Sequence, residues 1–255
     1  MTHTWIHHPP TAGLLKNAWN ALAIPAVLVF LAAALSVPVA AQEEKVTIDL
    51  QPLAGGTTMY KADRVIKKDG GRITETTLYN DLSGKTLVET VSVFEEINLA
   101  PVSYTYRDNR NGESESMTRR GGQLVMSYSE KQGARPDSDS EDLKSNTLLS
   151  AAVSAYILRN REALQRGQVI SFGLVVISRQ DIIGFRVQLD KSVKGPPGTW
   201  AVRMDPDSWV IRKLVDPLFF FFENAEPYRL LEFKGRAAVK TAAGKNQDLK
   251  YVFQY

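Results

Sequence analysis

Cysteine is absent from the 255-residue chain, and histidine occurs three times, at His3, His7 and His8. Without thiols there is no disulfide framework, no lipidated N-terminal cysteine and no cysteine nucleophile. Residues 9–255 hold no imidazole. This removes Ser-His-Asp and Cys-His catalysis, conventional zinc and copper sites and histidine-ligated haem from that stretch. Only carboxylate, Lys, Tyr or Ser-Lys chemistry is left. A strong charge of either sign is missing too. The net charge is +3, and Lys16 is the lone charged side chain in residues 1–41, so the remainder carries 30 basic against 28 acidic residues. No electrostatic drive toward nucleic acid follows.

The carboxylates do not assemble a site on paper. Glu95 and Glu96 are neighbours on a strand and point to opposite faces, while Asp205-Pro206-Asp207 reads as turn chemistry. Asp137, Asp139 and Glu141 resemble the opening of a calcium loop. Asp142 stands where that loop needs glycine, and Leu148 where it needs glutamate. Residues 132–142 are therefore read as a solvated loop. No catalytic residue, cofactor or metal is assigned, and the expectation is a protein that is not an enzyme.

What is present begins with the N-terminus. Lys16 precedes an uncharged run, Ala21–Ala41, whose most apolar part is Ile24–Leu35. Pro38 then breaks it, and Val39-Ala40-Ala41 offers small residues ahead of Gln42. This is the layout of a secretory signal peptide cleaved near Ala41. An uncleaved anchor is the alternative, since the run approaches the ~20 residues needed to span a bilayer. An exported, cysteine-free β-protein points to a bacterial periplasm, with residues 42–255 as one domain and no membrane span after cleavage.

From Lys45 onward the pattern is period-two alternation. Val46, Ile48 and Leu50 share one face; Tyr60, Ala62 and Ile66 share the next; Tyr104 and Tyr106, then Leu124, Met126 and Tyr128, continue it. Asp69-Gly70-Gly71 is a hairpin signal. One apolar and one polar face throughout predict an antiparallel sheet. The spacing Leu149, Val153, Tyr156, Ile157, Leu164 predicts one amphipathic helix over 145–166, ending at Gly167. Asn160 falls within its apolar stripe, where it either bonds a ligand or satisfies a carbonyl of the sheet. Near the C-terminus four short strands are predicted: Trp200–Met204, Trp209–Leu214, Leu218–Phe222 and Tyr228–Phe233. Phe219–Phe222 is apolar on both faces, so one face requires core and the other a helix, ligand or partner. The fold class is mainly β: a curved antiparallel sheet, a half-barrel, with one helix packed against it.

Three features in one order carry a resemblance: an exported β-meander, the helix end Tyr156-Ile157-Leu158-Arg159 before a glycine, and the closing segment Trp200–Arg212 followed by Tyr228–Gly235. Together they resemble the periplasmic half-barrel proteins of the lipoprotein-carrier type, the LolA and LolB group, and a set of uncharacterised periplasmic proteins. That resemblance implies a concave face that takes lipid acyl chains. The expected function is to bind a hydrophobic, lipid-like molecule through Trp200, Trp209, Phe220, Phe222, Tyr228 and Asn160. An envelope scaffold or assembly partner with no small ligand is the alternative, and an outer-membrane β-barrel a third reading.

Overall fold

A computed structural model describes residues 42–213 and 215–255 of the chain. The leader expected over residues 1–41 lies outside the described residues. The first half is a meander of eight strands: β1 (Gln42–Pro52), β2 (Tyr60–Asp69), β3 (Arg72–Asn80), β4 (Thr86–Glu95), β5 (Pro101–Asp108), β6 (Ser114–Arg120), β7 (Gln123–Ser129) and β8 (Asp137–Asp142). A two-residue strand β9 (Thr147–Leu148) leads through a 3-10 turn at Ser150–Ala152 to α1 (Val153–Arg159) and α2 (Arg161–Gln165). The second half holds β10 (Ile170–Val176), a 3-10 turn at Ile177–Arg179, β11 (Asp181–Leu189), β12 (Thr199–Pro206), α3 (Trp209–Arg212), β13 (Leu218–Glu223), β14 (Leu230–Arg236) and β15 (Asp248–Gln254).

All fifteen strands form one sheet, ordered β8-β7-β6-β5-β4-β3-β2-β1-β15-β14-β13-β12-β11-β10-β9. Two meanders are thus joined by the antiparallel pairing of β1 with β15, in which Ile48 faces Phe253 and Leu50 faces Tyr251. Among the described residues, only the β9–β10 contact is parallel. The β2–β3 hairpin turns on Gly70 and Gly71 at φ 54° and 76°. Both are left-handed values that a two-residue hairpin of this kind demands and that glycine adopts without a Cβ clash.

One face of the curled sheet is apolar and buried. Val46, Ile48 and Leu50 of β1, Phe94 of β4, Val202 of β12, Phe220 and Phe222 of β13, and Tyr251 and Phe253 of β15 join Val153, Ile157 and Leu164 of the helical segment in one core. The other face carries Lys45, Lys61, Asp63 and Lys67 in exposed or half-buried positions. An outer-membrane barrel has the reverse polarity, with its apolar band outward.

A second cluster explains how the sheet ends. Met117, Leu124 and Met126 of β6 and β7 pack on Leu149, Val175 and Ile177. Phe172 and partly buried Leu174 belong to the main core, whereas Val175 belongs to the second cluster. Side chains one apart on a strand face opposite ways. The inner face of the β6–β7 wing therefore lies over the outer face of β10, and the sheet curls past itself like a spiral without its edges pairing.

Three expectations are corrected. Residues 137–142 are strand β8 and not a loop: they pair with β7 through Asp137–Tyr128, Asp139–Met126 and Glu141–Leu124. The helix is broken and starts later than Ser145. Asn146 takes φ 59° and its carbonyl accepts from Gly173 N at 3.0 Å, which holds Thr147 and Leu148 in the sheet; Asn tolerates that left-handed conformation better than most residues. Trp209–Arg212 is helical, a single turn after β12 ends at Pro206, and it pairs with no strand among the described residues.

Candidate binding interior

The aromatic residues singled out above separate into three groups. Trp200, Phe220 and Phe222 do converge. Trp200 and Phe222 stack with centroids 5.1 Å apart, Phe220 and Phe233 lie at 4.8 Å, and Phe233 and Tyr251 at 5.3 Å. The row crosses the inner faces of β12 to β15. Trp200 Nε1 donates to the Glu223 carbonyl at 3.1 Å. These side chains face one another and the core, so the expected aromatic groove wall is packed interior.

The opposite face of the same strand is covered by the chain itself. Phe221 is fully buried, and a Cβ at Gly195 would stand 2.1 Å from its Cδ1. The Lys234 ammonium sits 5.0 Å from its ring centre. A loop and a lysine stem thus take the place of the helix, ligand or partner expected there.

Trp209 does not join this row. It is 63% exposed, next to exposed Val210, Ile211 and Val215, with Lys213 Nζ 4.7 Å from its ring. Tyr228 precedes β14 and is not part of it; its φ is 57°, a rare value for an aromatic residue. Arg161 lies over its ring at 4.1 Å. Asn160, the residue before Arg161, joins α1 to α2, and its Nδ2 donates to the Tyr156 carbonyl at 2.9 Å. Tyr228 and Asn160 are therefore brought to one place, the junction of the two helices. Asn160 serves its own helix and not a carbonyl of the sheet. A polar cleft of about 370 Å³ opens there, lined by Leu158, Arg159, Asn160, Arg161, Glu162, Ala163 and Arg166.

The inner face also carries polar residues. Arg64 of β2 stands opposite Val46 and Thr77, and its Nε is 3.4 Å from Glu75 Oε1. Burial pushes the Glu75 carboxyl up, against the pull of Arg64. Burial also drives Tyr79 to about 12 and Tyr104 and Tyr251 well above the ordinary phenol value. All three phenols stay protonated at neutral pH and are poor nucleophiles. The readable signal was the alternation itself: in Tyr60, Ala62, Arg64, Ile66, a charged residue occupies an inward position.

A second polar group ties the loop after β14 to β5 and β6. Lys240 Nζ donates to both Glu113 oxygens at 2.6 Å, and Tyr128 Oη donates to Glu113 Oε1 at 3.1 Å. Arg110 donates to both oxygens of Asp108, at 2.9 and 2.5 Å. Burial raises Asp108, but the Arg110 bonds outweigh it and hold the carboxyl low. Among the described residues Glu115 has no such partner; burial first, then the Glu113 charge, push it up to about 7 against the pull of Lys240.

The carboxylates weighed for catalysis are held by partners. Arg203 Nε donates to Asp205 Oδ2 at 2.9 Å, and Ser171 Oγ donates to Asp207 Oδ1 at 3.1 Å. Glu95 pairs with Arg119 at 2.5 Å, and Glu96 with Lys68 at 3.8 Å. Among the described residues, no three of His, Asp and Glu gather as a metal-ligand set.

No family model matches the chain, and no curated protein does. Among solved structures it is similar to a β-barrel-like protein of a domain of unknown function, DUF1849, from Brucella abortus. The two share 10% identity at a TM-score of 0.43, over 84% of this chain and 94% of that one.

Proposed function

We propose that this is an exported, non-enzymatic periplasmic protein that binds a hydrophobic, lipid-like molecule between the helical segment and the inner face of the sheet. One observation carries this reading: an apolar inner face is closed by a helix broken at Asn160 into pieces of seven and five residues. Isolated helices shorter than about 12 residues are marginal in water. These two pieces keep their form only while packed, which makes them the element most readily displaced by an apolar guest. Such a guest would replace the contacts of Val153, Ile157 and Leu164 with the sheet.

The test is native mass spectrometry on the protein exported by an expressing bacterium and purified without detergent. Extra mass that is lost on solvent extraction and identified as lipid supports the reading. A folded apo protein that also fails to bind an apolar dye or a fatty acyl probe rejects it. The exposed group Trp209, Val210, Ile211 and Val215 favours a second reading, an envelope assembly partner with no small ligand, because clustered exposed apolar residues mark interaction sites.

A further inference from the structure

We propose that Arg64 receives the anionic head of an amphiphilic ligand, a carboxylate or phosphate, at the mouth of the curled sheet beside Tyr255 and Arg229. The inference rests on the hydrophobic-ligand reading above and names the chemistry of the other end of that ligand.

A guanidinium offers five N–H donors in one plane and accepts nothing. Taken out of water, it needs acceptors to offset the lost hydration. Arg64 is 17% exposed, and the Glu75 side chain that faces it is 10% exposed. Its Nε is buried without a hydrogen-bond partner, since the 3.4 Å approach to Glu75 Oε1 is an ion pair and not a well-made bond. Among the described residues no hydrogen bond reaches its two terminal nitrogens either. They are absent from the buried unpaired atoms, so the remaining exposure of the side chain includes them. The planar fork, the part of arginine that matches a carboxylate or phosphate, thus keeps donors that the described residues do not use.

The surroundings suit an amphiphile. The guanidinium lies 5.3 Å from the centre of the Phe253 ring, and half-buried Ile66 and buried Val46 flank it on the same face. These give a tail an apolar wall. Tyr255 is 47% exposed, which marks the mouth. Its Oη donates to the Leu230 carbonyl at 3.1 Å, and Arg229 lies over its ring at 5.1 Å. Arg64, Arg229 and Glu44 all act on the Tyr255 phenol, whose proton burial holds to about 12. Arg229 therefore covers the Tyr255 ring, and the Arg64 charge reaches its phenol from the neighbouring Phe253. Of the acids facing them, Glu44 is solvated, and burial raises the Glu75 carboxyl against the pull of Arg64.

The experiment is calorimetric titration of the exported protein with laurate and with dodecanol, which share one chain and differ in head charge. Laurate is expected to bind about tenfold tighter, and Arg64→Gln to erase that difference without changing dodecanol affinity. Equal affinity of the wild type for both overturns the headgroup assignment and leaves the apolar-ligand reading standing. Binding of neither overturns both. Inorganic phosphate titrated alone separates a lipid head from a free anion: phosphate binding as tight as laurate overturns the amphiphile assignment. If Arg64→Gln lacks a cooperative melt, the wild-type comparison still decides, together with Arg229→Gln, which is expected to lower the laurate preference severalfold.

Discussion

A carboxyl that folding buries without a hydrogen-bonded cation of its own loses its proton reluctantly, and Glu115 is in that position among the described residues. Its neighbour Glu113 takes both the Lys240 ammonium and the Tyr128 hydroxyl, so Glu115 is left with burial and a nearby negative charge that carry it to about 7 from 4.5. The sign follows from proton counting. Between those two values the folded state holds more protons than the unfolded one, so stability falls as pH rises and levels off above about 7. Asp108 acts oppositely: its depressed carboxyl contributes stability that is present above about 3.8 and lost as pH falls. Glu115→Gln is expected to remove the alkaline loss, raising stability at pH 8 by about 1–3 kcal/mol with little effect at pH 4.5. Thermal melts at both pH values decide it. Parallel wild-type and variant profiles would show that Glu115 ionises freely in the fold.

At the scale of elements, β13 shows what alternation could and could not reveal. Four consecutive phenylalanines announce a strand covered on both faces, and the strand is there. What covers the outer face was invisible, because it is a Gly195 backbone brought in by a loop whose course depends on tertiary packing. Loss of Phe222, fully buried against Trp200, is expected to cost about 3–5 kcal/mol on replacement by alanine. Trp209→Ala is expected to stay within about 0.5 kcal/mol, although the sequence places both aromatics in predicted strands. Denaturant melts rank them, and comparable losses would contradict the exposed position of Trp209. Gly195→Ala should cost about 1–3 kcal/mol by overpacking Phe221. A neutral result would mean that the loop does not rest on the ring. The same limit explains Arg64. Period-two reading separates the inner from the outer face, but it cannot say whether a charged residue on the inner face is an irregularity or a site. The answer lies in its partners, Glu75 on the adjoining β3 and Phe253 on β15, the latter far away in sequence.

For the whole molecule, the alternating pattern makes a curved sheet legible, yet it says nothing about how a fifteen-stranded sheet disposes of its two ends. Strand edges with unpaired amides invite association with other chains. One end, β8, carries Asp137, Asp139, Glu141 and Asp142 within six residues, a charge density that discourages another strand from pairing. The other, β9, is two residues long. Between them the wings overlap through side chains alone, with Met126 and Val175 in the same apolar cluster although their strands share no ladder. If that overlap holds the spiral closed, the two residues are energetically coupled. Met126→Ala alone should cost about 2–5 kcal/mol. The double replacement with Val175→Ala should fall short of the summed single effects by about 0.5–3 kcal/mol, because the second truncation removes contacts already lost. Chemical denaturation of the four proteins measures that coupling. Strict additivity would place the wings apart and return the fold to a simple open half-barrel.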